Sequence, residues 1–126
     1  MNFPENLKYT PDHEWIKVDG NVGTIGITDY AQGELGDVVY MDIAPDITEL
    51  TKGNSFGTIE AVKTVSDMYA PVSGKVLELN SKLADEPQLV NSDPYGEGWI
   101  IKVELTDTSQ LNDLLDVAAY KAQIGQ

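Results

Sequence analysis

Few side chains in this chain could carry chemistry. It has no cysteine and one histidine, and all eight of its basic residues are lysines. That removes disulfides, thiolate metal sites and cysteine nucleophiles. It also removes the bidentate guanidinium clamp that phosphate sites use. Two places remain. The first is Asp12-His13-Glu14, a lone histidine between two acids. Asp12 and Glu14 could bind a cation or act as acid and base; the plain reading is a solvated edge of an acidic chain. His13 could pair with Glu14, although a lone histidine is more often a surface or capping residue. No serine lies in a Gly-x-Ser-x-Gly setting, no His-x-x-x-His metal pair exists, and no calcium-loop pattern occurs. No catalytic residue and no metal ligand is assigned from the sequence.

The second place is Lys63, in Glu60-Ala61-Val62-Lys63-Thr64-Val65-Ser66-Asp67. Two β-type runs, Phe56 to Val62 and Val65 to Ala70, meet there. A two-residue loop would pair Val62 with Val65, Ala61 with Ser66 and Glu60 with Asp67. That arrangement sets two carboxylates opposite one another, which is destabilising. Lys-Thr is also not the Asn-Gly or Asp-Gly pair that a tight hairpin favours. Local rules broken in one turn point to a functional site. Most turn lysines are merely solvated. Lys63 differs in its placing, at a hairpin tip with acids just below it, where a modifying enzyme would find a protruding lysine of fixed shape.

The elements that must position these residues are short. Glu14–Val18 and Val22–Ile27 alternate as strands around an Asp19-Gly20-Asn21 turn. Thr28 is a candidate N-cap for a helix through about Leu35, with Gly36 just past its end. Asp37–Ile43 reads as a strand and 44–54 as a loop. After the central hairpin come a Pro71-Val72-Ser73-Gly74 turn and a strand, Lys75–Asn80. Residues 81–98 read as loop with a short strand at Leu89-Val90, and Trp99–Leu105 as a strand. Leu111, Leu114, Leu115, Ala118, Ala119 and Ala122 recur at helical spacing, predicting a core-facing C-terminal helix over about 109–124 that bends near Asp116. Residues 1–13 look irregular. Short strands at this spacing suggest a β-sandwich or flattened barrel.

With 126 residues and 41% hydrophobic content, the chain suits one globular domain, 1–126, with that helix packed on it. The formal net charge of −13 argues against nucleic acid, which needs a positive footprint. It suits docking on basic patches of protein partners. No apolar run reaches membrane-spanning length, and Met1 to Glu5 lacks the regions of a signal peptide.

Taken together, several stretches resemble one family. They are Lys8 to Trp15, Gly26 to Gln32, Leu35 to Val39, Glu60-Ala61-Val62-Lys63 with Asp67 and the Pro71–Gly74 turn, Leu89 to Tyr95, Gly98-Trp99 and Leu114 to Asp116. In this order they resemble a lipoyl-carrier domain, and more closely the H proteins of the glycine cleavage system, from Leu7 to Tyr120. The resemblance implies a barrel-sandwich fold of the lipoyl-domain type. It implies lipoic acid in amide linkage to Lys63, with Glu60 and Gly74 serving recognition by the lipoate-attaching enzyme. It implies a cleft in which Asp12, Glu14 and Asp67 hold an aminomethyl cargo. The family is a non-catalytic shuttle. Its implied partners are a pyridoxal-phosphate glycine decarboxylase, an aminomethyltransferase using tetrahydrofolate, and dihydrolipoamide dehydrogenase. A monomer is expected, without membrane or nucleic acid, in the cytoplasm of a bacterium or the mitochondrial matrix of a eukaryote. The alternatives are a lipoyl or biotinyl carrier domain of another multienzyme complex. Biotin carriers flank the lysine with methionines, where this chain has Val62 and Thr64. Lipoyl domains of 2-oxoacid dehydrogenases commonly place aspartate before it. A small hydrolase built on Asp12, His13 and Glu14 lacks an assembled nucleophile; a plain acidic interaction module with no modification is the remaining alternative.

Overall fold

Alternation of apolar and polar residues dictates two sheets packed face to face. A computed structural model describes residues 2–126. The strands are β1 (Lys8–Tyr9), β2 (Glu14–Asp19), β3 (Val22–Ile27), β4 (Val38–Asp42), β5 (Glu49–Leu50), β6 (Ser55–Ala61), β7 (Val65–Tyr69), β8 (Gly74–Leu79) and β9 (Ile101–Leu105). One sheet has six strands in the order β1-β2-β3-β9-β8-β5, and the other has three in the order β4-β6-β7. In the larger sheet the row Ile16–Ile25–Ile101–Leu79 faces inward, and the adjacent row Lys17–Thr24–Lys102–Glu78 faces out. In the smaller sheet Ile59 and Met68 face inward to meet Ile16, Ile25, Ile101 and Val103 in a common core. The fold class is thus mainly β, of the sandwich type expected.

Helix α1 (Asp29–Leu35) links β3 to β4. Its Thr28 cap accepts a hydrogen bond from the Ala31 N–H, and Gly36 ends it at φ 79°, a left-handed value that glycine adopts without strain. A second apolar cluster lies beneath the chain ends: Phe3, Leu7, Tyr9, Trp15 and Tyr120 are all buried.

Several expectations are corrected. The N-terminal stretch holds β1, which pairs with β2. The loop over 44–54 contains β5, paired with β8. Leu89-Val90 opens a short helix, α3 (Leu89–Ser92), preceded by α2 (Lys82–Asp85). Two apolar residues cannot separate a helical from an extended period, and Pro87 just upstream suits a first turn. The helix expected over 109–124 is two pieces, a 3-10 turn (Thr108–Asp113) and α4 (Val117–Ile124). Between them Leu115 exchanges both backbone hydrogen bonds with Tyr9, at 2.8 Å each. Asp116 then caps α4 through the Ala119 N–H at 2.8 Å, where the bend was expected. This restart shifts the helical phase. Ala118, Ala119 and Ala122 face solvent, while Tyr120 is buried and Val117 and Ile124 are half-buried.

The hairpin register is also corrected. Glu60 pairs with Val65, Ile59 with Ser66 and Thr58 with Asp67. The tip is the four residues Ala61 to Thr64, closed by a hydrogen bond from the Ala61 N–H to the Thr64 carbonyl at 2.8 Å. Glu60 and Asp67 therefore do not oppose one another. Both stand on the outer face, on rungs two apart, and the expected carboxylate clash does not arise.

Candidate functional site

Lys63 is exposed on a tip that is tied down. Besides the Ala61–Thr64 closure, the Val62 N–H donates to the Asp37 carbonyl at 2.9 Å, fixing the tip to the short link between α1 and β4. The lysine stem lies across Gly36: a Cβ there would sit 3.4 Å from Lys63 Cε and 3.5 Å from Cδ. Gly36 thus gives the stem a smooth floor at the end of α1.

Beside this floor opens a cavity of about 120 Å³. Its walls are apolar, from Ile27 and Ile59 of the two sheets, Met68 of β7, and Ala31 and Leu35 of α1. Its ionisable groups are Asp12, His13, Glu14, Glu34 and Asp67. The fold therefore brings together the three acids that the resemblance places in a cleft, Asp12 from the β1–β2 turn, Glu14 from the start of β2 and Asp67 from β7. Asp12 and Asp67 are exposed at its rim, whereas Glu14 is buried. Thr10 Oγ1 donates to Glu14 Oε1 at 2.7 Å, and the Tyr69 N–H donates to Oε2 at 3.3 Å. Burial pushes the Glu14 carboxyl up to about 7, helped by the charge of Asp12 and opposed by the bonds from Thr10 and Tyr69. A buried acid poised near neutrality, with two exposed acids beside it, is suited to a small cation. The hydrocarbon walls suit an apolar chain bearing that cation.

Glu34 was not singled out in the sequence. Ala31, Glu34 and Leu35 are three and four residues apart on a capped helix, so one face carries all three; that spacing was the available signal. Thr10, the hydroxyl behind Glu14, gives no pattern of its own.

Glu60 is exposed on the outer face of β6, three residues before Lys63. Gly74 lies elsewhere. It is buried at the start of β8, in the six-stranded sheet, and a Cβ there would come within 2.6 Å of the Glu104 carbonyl oxygen. Its geometry is that of a close strand approach. Among the described residues no group of three or more His, Cys, Asp or Glu could hold a metal ion, and no helix is long and apolar enough to cross a membrane. A cavity of about 250 Å³ between Met41, Ile43, Leu79, Leu83 and Ile100 has no ionisable lining and offers no comparable chemistry.

Comparison with known proteins gives a consistent result. A family model described as glycine cleavage H-protein matches residues 7–126. The glycine cleavage system H protein of Bacteroides thetaiotaomicron is 56% identical over 98% of both chains. That of Staphylococcus haemolyticus is 55% identical over the full length of both. The crystal structure of a glycine cleavage system H protein from Mycobacterium marinum superposes with a TM-score of 0.89 at 36% identity, covering 98% of this chain and 100% of that one.

Proposed function

The chain belongs to the glycine cleavage H-protein family, and from that premise we propose that Lys63 is the residue through which it carries lipoic acid. Its role is that of lipoyl carrier in the glycine cleavage system. The observation that carries the assignment to Lys63 is one of placing. The amine is exposed on a tied tip, and its stem points along a glycine floor beside an apolar cavity lined with acids.

The attached group would supply a dithiolane that takes up an aminomethyl unit from glycine decarboxylase, yields it to the tetrahydrofolate-dependent aminomethyltransferase, and is re-oxidised by dihydrolipoamide dehydrogenase. The chain's own residues do the rest. Lys63 anchors. Ile27, Leu35, Ile59 and Met68 line the hydrocarbon part of the arm and keep water from a hydrolysable carbon–sulfur link. Glu14 faces the cationic end from within, and Asp12 and Asp67 from the rim. A nearby cation favours the ionised carboxylate, so docking of the cargo draws a proton off Glu14. Glu60, exposed beside the tip, is available to the lipoate-attaching enzyme; Gly74 would bear on that recognition only through the shape of the β7–β8 turn it closes. No residue of the chain is assigned a catalytic step, and 1–126 acts as one carrier unit.

The test is the intact mass of protein from a lipoate-competent host, with the modified peptide located. A lipoyl adduct confined to Lys63, lost in Lys63→Ala with the fold retained, is expected. A biotinyl adduct, or none after incubation with a lipoate-attaching enzyme, overturns the reading.

A further inference from the structure

The Tyr120 hydroxyl is a buried polar group with no part in the reading above. Tyr120 is fully buried, as is Thr28. Its Oη lies 2.9 Å from His13 Nδ1 and 2.8 Å from Thr28 Oγ1. Thr28 Oγ1 already accepts from the Ala31 N–H at 3.1 Å. Its own proton then has the Tyr120 oxygen as acceptor, and the Tyr120 proton goes to His13 Nδ1. The imidazole proton is left on Nε2. In the reverse arrangement His13 donates to Tyr120 and Tyr120 to Thr28. The Thr28 proton is then stranded, for Thr28 Oγ1 has no other hydrogen-bond partner among the described residues, and a stranded buried donor is costly.

A second observation concerns the backbone. His13 has φ 72° and is the one non-glycine residue in the left-handed region among the described residues, a conformation that persists only where surroundings hold it. Its N–H donates to the Thr10 carbonyl at 3.1 Å, and its carbonyl accepts from the Thr28 N–H at 3.0 Å. This strained residue separates Asp12 from Glu14. Its ring also meets Tyr30 of α1 at 4.9 Å. One hydroxyl therefore ties the turn that presents two acids to the capped helix that presents Glu34.

We propose that Tyr120 is a positioning residue of the cleft: its hydroxyl holds His13 as the neutral Nε2–H imidazole and fixes the strained turn that sets Asp12 and Glu14 against α1. The functional part of this inference rests on the cleft reading given above. An imidazolium beside Asp12, Glu14 and Glu34, with Asp67 across the cleft, would spend on itself the negative charge that a cationic cargo needs. Burial already holds His13 below the ordinary imidazole range, against the pull of Asp12 and Glu34.

The experiment uses ¹⁵N-labelled lipoylated protein and the imidazole nitrogen shifts of His13 near neutral pH. Tyr120→Phe removes one oxygen and keeps the ring. Tyr9→Phe is the matched control, because Tyr9 stacks on Tyr120 at 4.7 Å while its own hydroxyl donates to the Pro4 carbonyl at 2.6 Å. Wild type and Tyr9→Phe are expected to give the Nε2–H tautomer, and Tyr120→Phe a mixture with Nδ1–H. Ammonia release from the aminomethyl-loaded protein is expected to rise several-fold in Tyr120→Phe alone. An Nδ1–H or cationic His13 in the wild type overturns the inference, even if Tyr120→Phe is too unstable to label. So does an unchanged spectrum in Tyr120→Phe. A release rate that responds to Glu14→Gln but not to Tyr120→Phe overturns this inference and leaves the cleft reading standing; one that responds to neither overturns the cleft reading itself.

Discussion

Glu14 carries a proton in the folded chain at pH values where the unfolded chain has lost it. Burial moves its carboxyl from the ordinary 4.5 to about 7. Between those values the native state binds more protons, so stability falls as pH rises through that window and levels off above it. The loss is roughly 3 kcal/mol. Glu14→Gln trades a long bond from Tyr69 (3.3 Å) for permanent neutrality. Its urea midpoint should sit near or below wild type at pH 5 and above it at pH 8; a gap that ignores pH would contradict a buried, elevated carboxyl. On the proposed cleft role of Glu14, the same titration should set cargo retention. Glu14 is half-protonated near neutrality, so the aminomethyl group should be lost faster at pH 6 than at pH 8, and Glu14→Gln should flatten that profile. At this scale the placing of Lys63 beside Glu60 and Asp67, and the Asp12-His13-Glu14 run, were readable in the residues themselves, whereas a cleft shared by Asp12, Glu14 and Asp67 came only from the family resemblance. Thr10, Glu34 and Tyr120 were not readable, since an ordinary hydroxyl or acid becomes particular only through what the fold sets against it.

Helix α4 shows what local reading misses. The apolar spacing across 109–124 predicts one helix, yet Leu114 and Leu115 are extended because Tyr9, far away in the chain, pairs with Leu115. No window around 115 contains that partner. Asp116 does carry a local signal, since its carboxylate starts the helix anew. Asp116→Ala should cost about 1 kcal/mol by thermal unfolding. The β6–β7 tip differs from the expected two-residue loop for a related reason: Val62 bonds to Asp37, just before β4 and outside the hairpin itself. Gly74 makes a sharper element-scale test. A methyl there would press on the Glu104 carbonyl, so Gly74→Ala should destabilise the fold by roughly 1–3 kcal/mol. If Gly74 acts through packing alone, lipoyl attachment to the folded fraction should proceed at the wild-type rate. A defect in attachment at full folding would instead give it a direct place in recognition.

For the molecule as a whole, strand alternation made the sandwich legible, and the capped helix after β3 fell where expected. The sheet order was not legible. β9 enters between β3 and β8, and β5 joins the far edge; such pairings are settled by burial between distant segments. Charge is the other global property. One row on the outer face of the larger sheet runs Asp19, Val22, Glu104, Lys75 and Glu49, three acids to one lysine, and four acids line the cleft. With a net charge of −13, association with a basic partner surface should be steered. Its rate should drop by roughly tenfold from low to physiological salt, measurable by stopped-flow against each enzyme of the system.

The contact between Lys63 and Gly36 bears on what attachment does to the arm's base. A free ammonium is strongly hydrated and keeps the tip of the stem in water. An amide at the same nitrogen has no charge to hydrate, and it takes the formal charge of the chain from −13 to about −14. The four methylenes, which already lie across the Gly36 floor, then lose their tether to solvent. Attachment at Lys63, as proposed, would thus change the solvation of the stem as well as lengthen it. Faster migration in a native gel would report the lost charge. A lower mobility of the Lys63 methylenes by NMR would report the changed solvation.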